Sequence, residues 1–216
     1  MPYPDYARSE RIADGTMHVL GVSGALVGAA FLMIAADVSD GPGQRLALSV
    51  YGAALVLTFV ASACYHMIPS DALRPILRRI DHAAIYVKIA GTYTPLVVLI
   101  GSGLAYAVLG VVWALAAFGV VRKLFFWRLP GRFDPLLYLG MGWLSVLLLW
   151  SLVPLVPWAT TALIVAGGLL YTAGVLFYQW ESLKYANAIW HGFVLVASAC
   201  YFLAIAVGLQ SGAPGV

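Results

Sequence analysis

An all-α integral membrane protein, a bundle of seven transmembrane helices with the N-terminus inside and the C-terminus outside, is the fold this sequence predicts. Three observations predict it. Of 216 residues, 62% are hydrophobic and 10% charged, with a mean hydropathy of +0.92, whereas roughly a quarter of a soluble domain's residues are charged. The apolar residues gather into seven runs, each near the roughly 20 residues a helix needs to cross a bilayer. The lysines and arginines fall almost entirely into alternate connections between those runs, as they do when short cytoplasmic loops retain positive charge.

The runs cover residues 17–36, 46–68, 80–100, 104–121, 136–153, 158–179 and 188–209, so a single seven-helix membrane domain is expected over 1–216. Lipid offers no partner to a backbone N–H or C=O, so each run is expected to be a helix. The chain-breaking residues agree. Asp40-Gly41-Pro42-Gly43, Pro69-Ser70-Asp71, Gly101-Ser102-Gly103, Leu129-Pro130-Gly131 and the stretch from Val153 to Pro157 all fall between runs. With only Gly101 to Gly103 between them, the third and fourth helices are expected to form a tight antiparallel hairpin.

Orientation follows from the loop charges. Arg8, Arg11, Arg74, Arg78, Arg79, Arg122, Lys123, Arg128, Arg132 and Lys184 fall on one side, ten in all, and Arg45 alone on the other. That bias puts the N-terminus in the cytoplasm. Trp127, Trp143, Trp158, Trp180 and Trp190 are expected mostly as interface anchors.

Several function classes are excluded at this level. The net charge of +3 and pI near 8.9 are spread over short loops rather than one patch, so no nucleic-acid partner is expected. The first fifteen residues have no apolar core followed by a small-residue cleavage site and do not read as a cleavable signal. Cys64 and Cys200 lie inside apolar runs, where cysteine behaves as a small hydrophobe, and no disulfide is expected. The pentapeptide ASACY occurs at Ala61 to Tyr65 and again at Ala197 to Tyr201, which reads as small-residue helix packing.

The polar residues inside the apolar runs carry the functional signal. Ser62, His66, Asp81, His82, Asn187 and His191 all fall at the end of a run that the topology assigns to the cytoplasmic side. Ionisable groups at such depths are costly unless paired, hydrated or metal-bound. Residues four apart share a helix face, so Ser62 lies one turn deeper than His66, and Asn187 one turn shallower than His191. Two histidines on different helices with an aspartate between them suit a metal such as zinc, which takes imidazole nitrogen and carboxylate oxygen and leaves a position for water. Lys88 stands seven residues beyond Asp81, about 10 Å deeper on the same face. A mid-membrane lysine costs on the order of 2.5–3.5 kcal/mol and needs a partner or water.

The segment SxxxH at Ser62 to His66, the block RRIDHAAIYxxIAGTYTP ending at Pro95, and AIWH at Ala188 to His191 together resemble the hemolysin III family. This is the bacterial branch of the progestin and adipoQ receptors, which include the adiponectin receptors. Glu10, Thr16-Met17-His18 and the run from Tyr138 to Trp143 also look like family positions, so the resemblance spans nearly the whole chain. It implies an N-inside seven-helix bundle with a zinc ion near the cytoplasmic face. His66 then matches the first ligand and His191 the second histidine of an HxxxH pair. Asp81 matches a carboxylate that contacts water on the metal, and Ser62 its neighbour. On this reading the metal residues are His66, Asp81 and His191, and the catalytic residues Asp81 and Ser62.

The chain departs from the family pattern at three positions. Asn187 stands where the first histidine of HxxxH is usual, Tyr201 where a later histidine is usual, and Lys88 where an apolar residue is expected. An amide oxygen is a poor zinc ligand beside imidazole, so weaker zinc binding is expected. His82 and His18 read as structural, with either able to supply a replacement ligand. The resemblance implies a zinc-dependent hydrolase of a lipid amide such as ceramide in the bacterial inner membrane, with membrane lipid as partner. The alternatives are a non-catalytic protein of lipid sensing and membrane homeostasis, or a cytolytic one. No stripe of charge crosses the bilayer as an intrinsic ion channel would require.

Overall fold

A computed structural model describes residues 7–36, 41–126, 134–180 and 182–211. Among them the regular structure is entirely helical: α1 (Arg8–Ala35), α2 (Gly41–Met67), α3 (Arg74–Ile100), α4 (Gly103–Phe125), α5 (Asp134–Trp143), α6 (Val146–Leu152), a 3-10 turn (Val153–Leu155), α7 (Trp158–Tyr178) and α8 (Ala186–Ser211). Seven stretches are long and apolar enough to cross a membrane, the fifth being Pro135–Leu155, built from α5, α6 and the 3-10 turn. The protein is therefore a multi-pass integral membrane protein. Asp40, Trp127, Arg128, Arg132 and the break at Leu129-Pro130-Gly131 lie outside the described residues.

Several helices overrun their apolar runs at one end. α1 begins nine residues before Met17, and α3 begins at Arg74 rather than Ile80. An apolar run marks the part of a helix that lipid covers, whereas the helix continues wherever backbone bonding and propensity allow. Gly41, Pro42 and Gly43, read from the sequence as a break, are the first turn of α2. Proline is tolerated there because its missing N–H would have no intrahelical partner.

The fifth crossing is not the single helix that was expected. It breaks at Leu144 and Ser145. A break in lipid frees carbonyls that must find other donors, and Tyr93 on α3 supplies one: its hydroxyl lies 2.7 Å from both the Met141 and the Gly142 carbonyl oxygens. The expected hairpin between α3 and α4 is present. Gly101 ends α3 at φ 66°, a left-handed conformation that glycine adopts without a Cβ clash. Ser102 caps α4, its Oγ accepting from the Ala105 N–H at 3.2 Å.

The helices pack as a ring. Neighbours are α4 with α3, α3 with α2, α2 with α1, α1 with α8 and α8 with α7, and α5 closes the ring between α7 and α3. Two apolar cores result, one around Leu32, Tyr51 and Ile205, the other around Tyr86, Val112 and Met141. In lipid the exposed apolar surface drives nothing, so close backbone approach matters more than apolar area. α3 meets α2 at Gly91, where a Cβ would stand 2.7 Å from that of Ala54. The outward faces are apolar, with Trp150 at 91% and Ile34 at 84% exposure.

Candidate metal centre

The overrun of α1 matters because it brings Asp14 into helix, one turn before His18 and on the same face. Two contacts set where that face points. Glu10 accepts from the Ala7 N–H at 3.2 Å and from the Tyr185 N–H at 3.0 Å, tying the start of α1 to the residue before α8. Tyr185 takes the left-handed φ of 63° there, and its hydroxyl meets Ser9 Oγ at 3.1 Å. Further along α1, Gly21 packs flat on Phe59 of α2, and a Cβ would come within 2.4 Å of the ring. α1 is thereby held against both α8 and the end of α2.

Four side chains converge as a result. Asp14, His18, His66 and His191 each offer a ligand atom within 4.8 Å of every other. His66 closes α2 and His191 begins α8, so the first, second and last helices all contribute. The imidazoles stack edge and face, with ring centres 4.4 Å apart for His18 and His191 and 4.5 Å for His66 and His191. Asp14, His18 and His191 are buried and His66 is nearly so.

The donors suit a divalent metal. Bonds of 2.0–2.1 Å in a tetrahedral site put neighbouring ligand atoms about 3.4 Å apart. Asp14 Oδ2 lies 3.6 Å from His18 Nε2 and 3.7 Å from His66 Nδ1. His18 Nε2 is buried without a hydrogen-bond partner, an expensive state for an imidazole nitrogen unless something else takes its lone pair. The third contact differs in kind. Asp14 Oδ1 and His191 Nδ1 stand 2.6 Å apart, a hydrogen bond that orients the ring and leaves Nε2, 3.5 Å from Ser62 Oγ, turned toward α2. A carboxylate holding a ligand imidazole in this manner is a common feature of metal sites.

The cluster lies at one end of a cavity of about 290 Å³ whose wall includes Ser62, Asp81, Lys88 and Asn187. The structure thus brings His66, His191 and Ser62 together. Asp81 lines the same cavity from α3 but does not join the four converging residues; its Oδ2 faces His82 Nδ1 at 3.4 Å. His82 in turn has its carbonyl bonded by the Tyr138 hydroxyl at 3.1 Å. His18, read from the sequence as structural with a replacement-ligand role in reserve, stands among the four. Asp14 was not singled out at all. Its signal was the aspartate four residues before a histidine, which counts only if the helix is extended back past Gly15.

Comparison with known proteins gives the family. The model of the family described as haemolysin-III related matches residues 7–202. The hemolysin-3 homolog of Bacillus subtilis (strain 168) is 36% identical over 198 residues, 91% of this chain and 92% of that protein. Hemolysin-3 of Bacillus cereus is 34% identical over 91% of this chain and 90% of its own. The human monocyte to macrophage differentiation factor is 29% identical over 91% of this chain and 83% of its own. A family match over nearly the whole chain and relatives above 30% identity make this protein a member of the haemolysin-III-related family.

Proposed function

We propose that the protein is a zinc-dependent hydrolase of lipid amides, with its site at the cytoplasmic face of a bacterial inner membrane. The observation that carries this reading is the convergence of Asp14, His18, His66 and His191 at the end of a cavity within a membrane bundle. His18, His66 and His191 would hold the metal, with Asp14 between them. When bound, the metal would supply Lewis-acid chemistry, polarising an amide carbonyl and acidifying water. The chain's own residues do the rest. Asp14 fixes the tautomer and orientation of His191 through the 2.6 Å contact. Asp81, which lines the same cavity, would accept a proton from water, and Ser62, beside His191, would hold an acyl oxygen. Among the lining residues, Phe59, Ile85, Ile89 and Leu149 give an acyl chain an apolar bed.

The cytoplasmic assignment is supported by charge. Arg8, Arg11, Arg74, Arg78, Arg79, Arg122, Lys123 and Lys184 all belong to the bundle end where α1, α3 and α8 begin and α2 and α4 stop, as expected where positive residues stay inside. The test is metal content followed by fatty-acid release from ceramide, for wild type and His66→Ala. Metal in the wild type only, with release that disappears in the variant, is the expected result. Release unchanged in His66→Ala sinks the hydrolase reading. The name of the Bacillus cereus relative carries a second reading, membrane lysis. Dye escape from protein-loaded vesicles, unaffected by chelator, would favour it.

A further inference from the structure

Lys88 is a buried cation that the metal site does not use. It lies mid-way along α3, 7% exposed, and is one of the residues lining the cavity. Its Nζ donates to Ser198 Oγ of α8 at 2.6 Å and stands 4.9 Å from the Phe59 ring centre and 5.2 Å from that of Tyr171. Ser198 has no more to give. Its hydroxyl donates to the Val194 carbonyl at 2.5 Å, and the Tyr171 hydroxyl sits on it at 3.0 Å. An ammonium has three donors, and among the described residues one oxygen acceptor, Ser198 Oγ, meets them. Among the described residues no carboxylate pairs with Lys88. Asp81, the acid the sequence offered, faces His82 instead.

The placement is layered. Phe59 is seven residues from His66 on α2, Lys88 seven from Asp81 on α3, and Ser198 seven from His191 on α8. On each helix the step runs away from the histidine end, so Phe59, Lys88 and Ser198 form a second layer about 10 Å deeper. The cavity wall includes residues of both layers. An ammonium in such a place is stabilised by an anion that brings its own apolar body, because the surrounding wall includes Phe59, Ile85 and Ile89. One carboxylate balances one ammonium. A phosphate would bring more charge and hydration than a single lysine and one saturated serine can match.

We propose that Lys88 is the anchor of a second binding subsite, which takes the carboxylate of an apolar monocarboxylate inside the membrane cavity, separate from the histidine cluster. The subsite goes beyond the hydrolase reading and stands or falls without it. The test measures binding of dodecanoate, 1-dodecanol and dodecylamine to the full chain in phosphatidylcholine nanodiscs, with and without chelator. Wild type is expected to prefer dodecanoate to the alcohol by at least about tenfold, the worth of one charge-assisted contact, and to keep that preference in chelator and in His66→Ala. Lys88→Gln, which retains a hydrogen-bonding group for Ser198, and Lys88→Met are each expected to erase it while leaving dodecanol binding within about twofold. Either variant that keeps its cooperative melting suffices. A preference lost on chelation puts the carboxylate on the histidine cluster and overturns the proposal. So does no preference in the wild type, or a preference that survives loss of the lysine. Failure of ceramide hydrolysis leaves these readouts unchanged.

Discussion

Asp14 and His191 are 177 residues apart in sequence and 2.6 Å apart in space, joined Oδ1 to Nδ1. This contact joins the first helix to the last. It makes the candidate metal centre a property of the whole bundle, since nothing within either helix alone would hold both groups at that distance.

The first prediction concerns what that contact does. Asp14→Asn retains the shape but loses the charge that stabilises the oriented imidazole, and loss of such a partner typically weakens metal binding by about 10- to 100-fold. His18→Ala, His66→Ala and His191→Ala each remove a nitrogen donor and are expected to cost more than that. Zinc titration against a competing chelator measures all four. Equal affinity in Asp14→Asn and wild type would mean that the carboxylate does not orient His191.

Bound metal stabilises the native bundle by mass action, by about 2.7 kcal/mol when free metal is about 100 times its Kd. For a chain of this length, chelation is then expected to lower the melting temperature by about 5–10 °C. The three histidine variants should melt near the chelated wild type and no longer respond to chelator. A wild type that melts identically with and without chelator argues against a metal held by these residues.

The seven crossings and the α3–α4 hairpin were legible from apolar runs and breakers, because lipid forces backbone groups to bond within their own segment. The site was legible in part. His66, His191 and Ser62 could be brought together from helix polarity alone, since each lies near a run end of known sense. Asp14 could not, because it precedes the first apolar run and so lies outside the segment that hydropathy marks as helix. What keeps Asp14 in helix is tertiary: the Glu10 carboxylate bonded to the Tyr185 backbone and the close fit of Gly21 on Phe59. The break between α5 and α6 was hidden for a similar reason, as the donor that makes it tolerable, Tyr93, comes from another helix.

Glu10→Ala tests that tertiary support. It touches no proposed ligand, yet it removes the acceptor of the Tyr185 N–H, on a residue in the left-handed conformation. Metal affinity is expected to fall by about 10-fold or more, as for other outer-shell losses, with the helical circular dichroism unchanged. Unaltered affinity would show that α1 is positioned without the Glu10 link.

Tyr93→Phe removes the hydroxyl that serves the Met141 and Gly142 carbonyls at the helix break. Two carbonyls at the break lose a donor, that of Met141 in a buried contact, and a cost of about 1–2 kcal/mol is expected. Gly91→Ala works by a different route. Its Cβ would stand 2.7 Å from Ala54 Cβ, an atom fixed to the α2 backbone, so α2 and α3 must separate at a cost of about 1–3 kcal/mol. Denaturation in mixed micelles measures both, and a Gly91→Ala protein as stable as wild type would mean that the two helices are not in close contact there.

Asn187 decides between two accounts of the ligand shell. If the missing histidine leaves a gap, Asn187→His should tighten metal binding by itself. The geometry gives a different expectation, because His18 already brings the converging imidazole donors to three, the number a catalytic zinc ion takes with its fourth position left to water. Asn187→His in the wild-type background is therefore expected to change affinity by no more than about twofold, well under the tenfold that one lost contact would cost. In the His18→Ala background the same substitution is expected to restore at least about tenfold of the lost affinity, since Asn187 lines the cavity one turn from His191 on the same helix. Rescue in the double variant with little gain in the single one means that α1 supplies the donor that α8 lacks. A large gain in the single variant means instead that His18 is not a ligand.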